Sequence, residues 1–176
     1  SWNQLKLNTS KLLKFFNDIK LNKGDRVAAY MPNCIETVEA FVATSSMGAI
    51  WSSCSPDFGI SGVVERFSQI KPKVLFISDQ YFYNGKKINI ANRLPKILKL
   101  IPSIKNIVIV NYPGKKSIKK KYIFKKQNLF KWSDLIKKTT SEIKFIQYDF
   151  ESELAILYSS GTTGKPKCIC HRAGGV

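Results

Sequence analysis

Residues 154–167 read Leu154-Ala155-Ile156-Leu157-Tyr158-Ser159-Ser160-Gly161-Thr162-Thr163-Gly164-Lys165-Pro166-Lys167, an apolar run followed at once by a polar, glycine-containing stretch. A short uninterrupted apolar run bounded by turn residues is typical of a buried strand. The nine residues from 159 to 167 carry two glycines, four hydroxyl groups and two lysines. Glycine lets successive backbone N–H groups converge on one point, and such a concavity holds an anion. The stretch therefore predicts a strand followed by a loop that binds a polyphosphate.

A Walker A loop is one alternative for this stretch, and the spacing of the glycines argues against it. That loop has the pattern G-x-x-x-x-G-K-(S/T), with a helix that starts at the lysine. Here Gly161 and Gly164 are only three positions apart, and Lys165 is followed by Pro166 instead of a hydroxyl residue. Proline removes a backbone donor and disfavours helix at the residue before it. An exposed turn with no ligand is the other alternative.

The composition indicates a folded domain with a strong positive charge. The chain has 176 residues, 44% of them hydrophobic, which is enough for one domain with a core. Its net charge is +17, from 29 Lys and Arg against 12 Asp and Glu. A basic nucleic-acid-binding module is therefore an alternative from another class. Much of the excess is lysine between Lys115 and Lys126, which favours a solvated surface loop, and we expect no nucleic-acid partner.

The sequence also gives expectations about compartment and completeness. No apolar run is long enough to span a membrane, and the four cysteines show no disulfide-framework spacing, so we expect a cytosolic protein. The chain begins at Ser1 without methionine and stops at Val176, soon after the predicted loop. We therefore expect residues 1–176 to be a fragment that is inactive by itself.

Strand and helix patterns alternate along the chain. We predict helices in 1–23, 34–47, 63–71 and 94–101, and strands in 26–31, 49–54, 73–78 and 107–110. Gly24 is suited to cap the first helix, and Asn33 with Glu36 resembles a capping box for the second. The inward face of the second helix is predicted to hold the apolar residues Ile35, Val38, Phe41 and Val42. This alternation predicts an α/β fold with a mostly parallel sheet covered on both faces.

A lysine-rich surface insertion is predicted at about residues 111–127, and it interrupts the alternation. Tyr122, Ile123 and Phe124 lie among its lysines, so a weak basic-aromatic strand is an option there. A short helix follows from Trp132 to Lys138, with Ser133 as its predicted cap. The chain then enters the strand at Leu154 and the loop.

The loop matches (S/T)-S-G-(S/T)-T-G-x-P-K, and it resembles the phosphate loop of the adenylate-forming, AMP-binding ligases. Further stretches resemble the acetoacetyl-CoA synthetases within that group. They are Gly24–Val27, Met31–Asn33, Gly48–Gly59, Phe67–Leu75, Tyr83–Lys86 and Pro166–Gly175. The run from Trp51 to Gly59 discriminates best, because acetyl-CoA synthetases differ there. The resemblance weakens only between Asn111 and Glu151, and it implies that residues 1–176 are part of the large N-terminal domain, without the C-terminal lid domain.

The resemblance implies an ATP-dependent acid–thiol ligase that converts acetoacetate to acetoacetyl-CoA through an acyl-adenylate. Its substrates would be acetoacetate, ATP and CoA, with Mg²⁺ arriving on ATP. The β- and γ-phosphates would be wrapped by the loop, and the catalytic Lys167 would neutralise the leaving diphosphate, whereas Lys165 would face solvent. The implied loop residues are Ser159, Ser160, Gly161, Thr162, Thr163, Gly164 and Lys167. A ligase of the acetate or propionate type remains an alternative.

The resemblance implies roles for Lys86 and Trp51, and the residues decide against a metal site at His171. Lys86, in the segment Tyr83-Asn84-Gly85-Lys86, would hold a phosphate of CoA by the resemblance, although Tyr83 stands where related enzymes have arginine. Trp51 would face the acyl pocket, with a core position as the alternative. The only histidine, His171, follows Cys168 and Cys170. Alternation along a strand places the cysteines on one face and His171 on the other, so we predict no metal site.

Overall fold

The computed structural model describes residues 1–112, 124–138, 146–159 and 164–176. Its helices are α1 (Trp2–Asp18), α2 (Ile35–Ser46), α3 (Ile60–Ile70), α4 (Leu94–Leu100) and α5 (Trp132–Leu135). The strands are β1 (Arg26–Tyr30), β2 (Ile50–Cys54), β3 (Val74–Ser78), β4 (Gln80–Tyr83), β5 (Lys86–Asn89), β6 (Asn106–Val110), β7 (Asn128–Lys131), β8 (Glu153–Ser159) and β9 (Lys167–Arg172). Short 3₁₀ turns cover Ala91–Arg93 and Ala173–Gly175.

Seven strands form one sheet in the order β7-β6-β3-β1-β2-β8-β9, and β4 and β5 form a separate antiparallel hairpin. Neighbours in the large sheet are parallel except for β8 and β9, which are antiparallel. The predicted α/β class and mostly parallel sheet are therefore confirmed. The chain steps from β1 to β2 on one side and then returns to β3 on the other side of β1. A doubly wound sheet has its topological switch point where the strand order reverses in this way.

Two hydrophobic cores cover the two faces of the sheet. On one face α1, α2 and α5 pack on side chains such as Val27, Phe76 and Val108. On the other face α3 and α4 pack on Tyr30, Leu75 and Ile107. Adjacent residues of one strand enter opposite cores because side chains alternate along a strand. The central strands β1 and β3 are consequently buried on both faces, as a parallel sheet requires.

The first helix is shorter than predicted. It ends at Asp18, and Lys20 takes the left-handed conformation with φ 55°. Gly24 does not cap this helix; with φ 78° it lies in the turn before β1, where its N–H donates to the carbonyl oxygen of Gly48 at 2.8 Å. The positive φ explains why glycine stands at this position.

The inward face of α2 differs in part from the prediction, although Phe41 packs against the core as predicted. Ile35 is 59% exposed and Val38 is 48% exposed, whereas Ala40 and Ala43 are fully buried. Small residues therefore occupy the fully buried positions of this helix, and Ile35 and Val38 lie at its margin. The predicted capping box is also wrong: Cys34 is the N-cap residue, and it makes no side-chain cap hydrogen bond.

The second half of the chain shows two further differences. The helix α5 ends at Leu135 instead of Lys138, and Ser133 lies inside it, because Lys131 is its N-cap residue. The strand β8 is only partly buried, with Leu157 47% exposed. The strands β4, β5 and β7 have no counterpart among the predicted strands. Most of the predicted lysine-rich insertion, including Tyr122 and Ile123, lies outside the described residues.

A buried carboxyl group joins α1 to α2. Glu39 is 2% exposed, and the Asn8 side-chain amide donates to its Oε1 at 2.8 Å. Burial raises the pKa of Glu39 above its usual range, and the hydrogen bond from Asn8 opposes that rise. The folded protein therefore holds this proton more tightly than the unfolded chain does.

We predict that Glu39→Gln reduces the pH dependence of stability. The stabilisation from a raised carboxyl pKa is full below the unfolded pKa and is lost as pH rises through the folded pKa. The glutamine retains the oxygen that accepts from Asn8 and carries no charge. Urea unfolding at several pH values should therefore show the variant gaining stability relative to the wild type as pH rises toward 7.

The matched control is Glu65→Gln, which removes the same charge from an exposed position of the helix α3. The relative gain should be larger for Glu39→Gln than for the control. An equal change in both variants, or a loss that grows with pH in Glu39→Gln, would contradict the prediction.

Candidate active site

The strands β8 and β9 close the base of the predicted phosphate loop. Ser159, the last residue of β8, is paired with Lys167, the first residue of β9. Residues 160–163 lie outside the described residues, so the predicted contacts of Ser160, Gly161, Thr162 and Thr163 remain a prediction. Gly164 has φ 99°, a conformation that other residues rarely adopt. The loop has an outgoing leg, which leaves β8 at Ser159, and a returning leg, Gly164 to Lys167, which enters β9. Both legs are therefore joined to one antiparallel pair of strands.

A buried hydroxyl attaches β8 to the sheet. Ser52 is fully buried, and its Oγ donates to the carbonyl oxygen of Ile156 at 2.8 Å. The same Oγ lies 3.1 Å from the Tyr158 hydroxyl. Burial raises the pKa of Tyr158 far above its usual value, so the phenol stays protonated at neutral pH. The outgoing leg of the loop is thereby fixed to β2, although the β2–β8 ladder has only the register pair Trp51 and Ala155.

The returning leg is attached to α3. The side-chain amide of Gln69 donates to the carbonyl oxygen of Pro166 at 2.9 Å and to that of Glu65 at 2.8 Å. Pro166 itself is buried, whereas Lys165 and Lys167 on either side of it are both exposed. The predicted exposure of Lys165 is therefore observed, and Lys167 is equally able to reach a ligand in solvent. The two lysines differ in position, because Lys167 is paired with Ser159 at the base of the loop and Lys165 is not in the strand.

A pocket of about 340 Å³ opens at the carboxyl ends of β1 and β2. Its walls are the segment after β1, the segment from Ser53 to Asp57 and residues 81–83 of β4. In open α/β sheets, ligands bind outside the carboxyl ends of the strands at the switch point. The pocket lies there, and it combines aromatic side chains with polar groups such as Asn33, Ser55 and Asp57.

Lys86 lies on the hairpin whose first strand supplies one wall of this pocket. A two-residue turn of Asn84 (φ 47°) and Gly85 (φ 71°) joins β4 to β5 and closes with the pair Tyr83 and Lys86. Tyr83 lines the pocket, and Lys86 is exposed. The hairpin was not predicted, although Asn-Gly between two strand-like runs is a strong hairpin signal. This turn fixes Lys86 opposite a pocket residue.

The AMP-binding enzyme family matches residues 1–176. The chain belongs to this family. It is 44% identical over 158 residues to an acetoacetyl-CoA synthetase of Xenopus tropicalis, covering 88% of this chain and 24% of the relative. It is 41% identical over 176 residues to an acetoacetyl-coenzyme A synthetase of Rhizobium meliloti, covering 99% of this chain and 26% of the relative. These AMP-binding relatives confirm the resemblance that the sequence indicates.

A solved structure of the same family has a closely similar fold. The acetoacetyl-CoA synthetase from Streptomyces lividans matches with a TM-score of 0.88 and 32% sequence identity, covering 99% of this chain and 26% of that chain. The chain thus spans about a quarter of the length of the AMP-binding proteins it matches. The described residues include no helix long and apolar enough to cross a membrane.

Trp51 lies in the core of the AMP-binding fold. It is 6% exposed, and its ring packs edge-to-face on Phe41 with ring centroids 5.8 Å apart. It belongs to the core shared with α1 and α2, whereas the pocket lies at the ends of β1 and β2. Its role toward the acyl group remains a prediction.

With one exception, the cysteines and His171 do not line the pocket. Cys168 and Cys170 are exposed on β9, and no group of three possible metal-ligating His, Cys, Asp or Glu side chains occurs within the described ranges. None of the four cysteines forms a disulfide. The exception is Cys54, which lines the pocket; burial raises the pKa of its thiol to about 12, so it is a neutral wall residue at physiological pH.

Proposed function

We propose that the chain is part of an acetoacetyl-CoA synthetase, which activates acetoacetate with ATP and transfers the acyl group to CoA. The observation that carries this proposal is the loop closed between Ser159 and Lys167, in a chain whose relatives bear that name. We infer further that residues 1–176 belong to a larger N-terminal domain and that a C-terminal domain of the same protein completes the site. The four free cysteines favour a reducing compartment, the cytosol.

The loop would bind the β- and γ-phosphates of ATP. Its backbone N–H groups and hydroxyls supply donors, and the ammonium group of Lys167 supplies positive charge beside the outgoing leg at Ser159. We assign phosphate binding to Ser159, Ser160, Gly161, Thr162, Thr163, Gly164 and Lys167. Gln69 and Ser52 hold the segments on either side of the loop, so its ends at Ser159 and Lys167 have fixed positions. Groups held in fixed positions can stabilise charge that develops in a transition state.

The proposed reaction has two steps. A carboxylate oxygen of acetoacetate attacks the α-phosphorus of ATP, and the bond to the bridging oxygen breaks, which releases diphosphate. The CoA thiolate then attacks the carbonyl carbon of the acyl-adenylate, and AMP leaves. Lys167 would act in the first step, where negative charge accumulates on the departing diphosphate. A carboxylate needs no general base as a nucleophile, so none is assigned.

The loop residues fit an anion better than a free cation. Between 159 and 167 the side chains are hydroxyls and lysine ammonium groups, with no carboxylate. Mg²⁺ prefers oxygen ligands and commonly binds through substrate phosphates together with one or two carboxylates. We therefore propose that Mg²⁺ enters bound to ATP, where it supplies charge neutralisation for the diphosphate.

CoA would bind at the pocket and the β4–β5 hairpin. Lys86 is paired with Tyr83, a residue of the pocket wall. Its ammonium group would bind a phosphate of CoA, and the adenine would enter among the aromatic side chains. Such phosphate contacts on an exposed lysine contribute modestly. We assign Trp51 to the acyl side of the site only through the resemblance, because its buried position supports a core role equally well.

The acid substrate is tested by acid-dependent ATP–diphosphate exchange and by thioester formation in the full-length gene product. We expect acetoacetate to support both, at a kcat/KM at least about tenfold above that of acetate or propionate. Preference for acetate or propionate would replace the acetoacetate assignment with the short-chain alternative. Absence of exchange with all three acids would reject the ligase proposal.

The role of Lys167 is tested by Lys167→Ala with Lys165→Ala as the matched control. Both remove one exposed lysine from the same leg of the loop. Loss of a charge that stabilises the leaving group should lower exchange about 10²-fold in Lys167→Ala. The control should stay within about twofold of the wild type, since an exposed charge contributes little. Equal losses in both variants would reject the assignment of Lys167.

A further inference from the structure

Arg93 connects the segment after the hairpin to the turn that follows β2. It is the last residue of the 3₁₀ turn Ala91–Arg93, and its side chain crosses to the carboxyl edge of the sheet. Its Nη1 donates to the carbonyl oxygen of Phe58 at 2.8 Å and lies 3.2 Å from that of Pro56. It also hydrogen-bonds to the hydroxyl of Tyr30. The guanidinium group of Arg93 therefore bonds both to Tyr30 of β1 and to two carbonyl oxygens of the turn that follows β2.

Tyr30 completes this cluster from inside the core. Its side chain is fully buried at the end of β1, and its hydroxyl lies 3.2 Å from the carbonyl oxygen of Pro56 and also contacts that of Phe58. Burial raises the pKa of Tyr30, with Arg93 opposing the rise, so the hydroxyl keeps its proton and donates to a carbonyl. Hydrogen bonds in which one partner is charged are stronger than neutral ones.

The turn held by this cluster forms one wall of the pocket. It is closed internally, because the Phe58 N–H donates to the carbonyl oxygen of Ser55 at 3.2 Å and the Ser55 hydroxyl donates to Asp57 at 2.9 Å. Arg66 packs over the Phe58 ring with its guanidinium carbon 4.2 Å from the ring centroid. These contacts shape the turn itself, whereas Arg93 and Tyr30 fix its carbonyl side to the sheet. Ser55, Pro56 and Asp57 face the pocket from this turn.

We propose that Arg93, together with Tyr30, is a positioning residue for CoA binding, because it holds the Ser55–Phe58 turn as a wall of the pocket beside Lys86. This inference rests on the proposed function, in which that pocket accepts CoA. The hydrogen bonds of Arg93 join it to the turn and to β1, whereas Gln69 and Ser52 hold the segments on either side of the phosphate loop. Arg66 packs on both Phe58 and Tyr158 and so links this turn to β8. Loss of Arg93, which bonds to the turn directly, therefore affects the CoA step more strongly than the adenylation step.

The test uses Arg93→Ala in the full-length gene product, with CoA titrated directly and with both half-reactions measured. We expect the Kd and KM for CoA to rise about five- to tenfold, while acetoacetate-dependent ATP–diphosphate exchange stays within about twofold. Tyr30→Phe keeps the ring and removes only the hydroxyl, so the same change should be smaller. Arg93→Lys retains one charged donor and should recover part of the CoA affinity. The control is Lys99→Ala, which removes an exposed charge from the adjacent helix α4 and should change neither quantity.

Two results would overturn the proposed role of Arg93 in CoA binding. Unchanged CoA affinity in Arg93→Ala, or equal losses in exchange and CoA affinity, would overturn it, the second by indicating a general structural role. If Arg93→Ala does not fold, the same criteria apply to Arg93→Lys and Tyr30→Phe. A wild type that binds CoA but shows no acetoacetate-dependent exchange would reject the proposed acid substrate, and the variants' CoA affinity would still decide the role of Arg93. Absence of CoA binding to the wild type would reject both.

Discussion

The common direction of the parallel strands is the constraint on which this structure depends. Because β1, β2, β3 and β8 run the same way, the segments that follow them emerge at one edge of the sheet. The pocket walls, the hairpin with Lys86 and the phosphate loop all belong to these segments. Two cores, one on each face, keep the strands from rotating or slipping, since a shift of one residue would exchange the two faces. The positions of the ligand-binding segments therefore follow from the burial of the sheet.

The loops at this edge are attached to the sheet by individual polar side chains. Ser52 reaches from β2 to β8, Gln69 reaches from α3 to Pro166, and Arg93 reaches from the 3₁₀ turn to the carbonyls after β2. Loop carbonyls in partly buried positions need donors, and a fixed side chain supplies both the hydrogen bond and the location. In the function that we propose, phosphate binding would depend on the attachments made by Ser52 and Gln69, and CoA binding on those made by Arg93 and Tyr30.

Much of the fold and part of the site could be predicted from the sequence, for physical reasons that also explain the failures. Alternating apolar strands and amphipathic helices determine the layers, and Pro166 with the glycine spacing distinguishes the loop from a Walker A loop. Apolar character alone did not identify the inner face of α2, because its fully buried positions hold the small residues Ala40 and Ala43, whereas Ile35 and Val38 are exposed. The hairpin was missed because its exposed strands carry little apolar pattern, although Asn84-Gly85 signals the turn. The position of Arg93 depends on contacts with residues 35 to 63 positions away in the chain, which no local pattern contains.

In the function that we propose, the loop between β8 and β9 holds the polyphosphate of ATP. The most direct measurement is a crystal structure of the full-length protein with ATP and Mg²⁺. We predict that the β- and γ-phosphates lie between Ser159 and Lys167, with the Lys167 ammonium group about 3 Å from a phosphate oxygen. A triphosphate bound elsewhere, for example in the pocket at the ends of β1 and β2 with the loop residues free of ligand, would contradict the account.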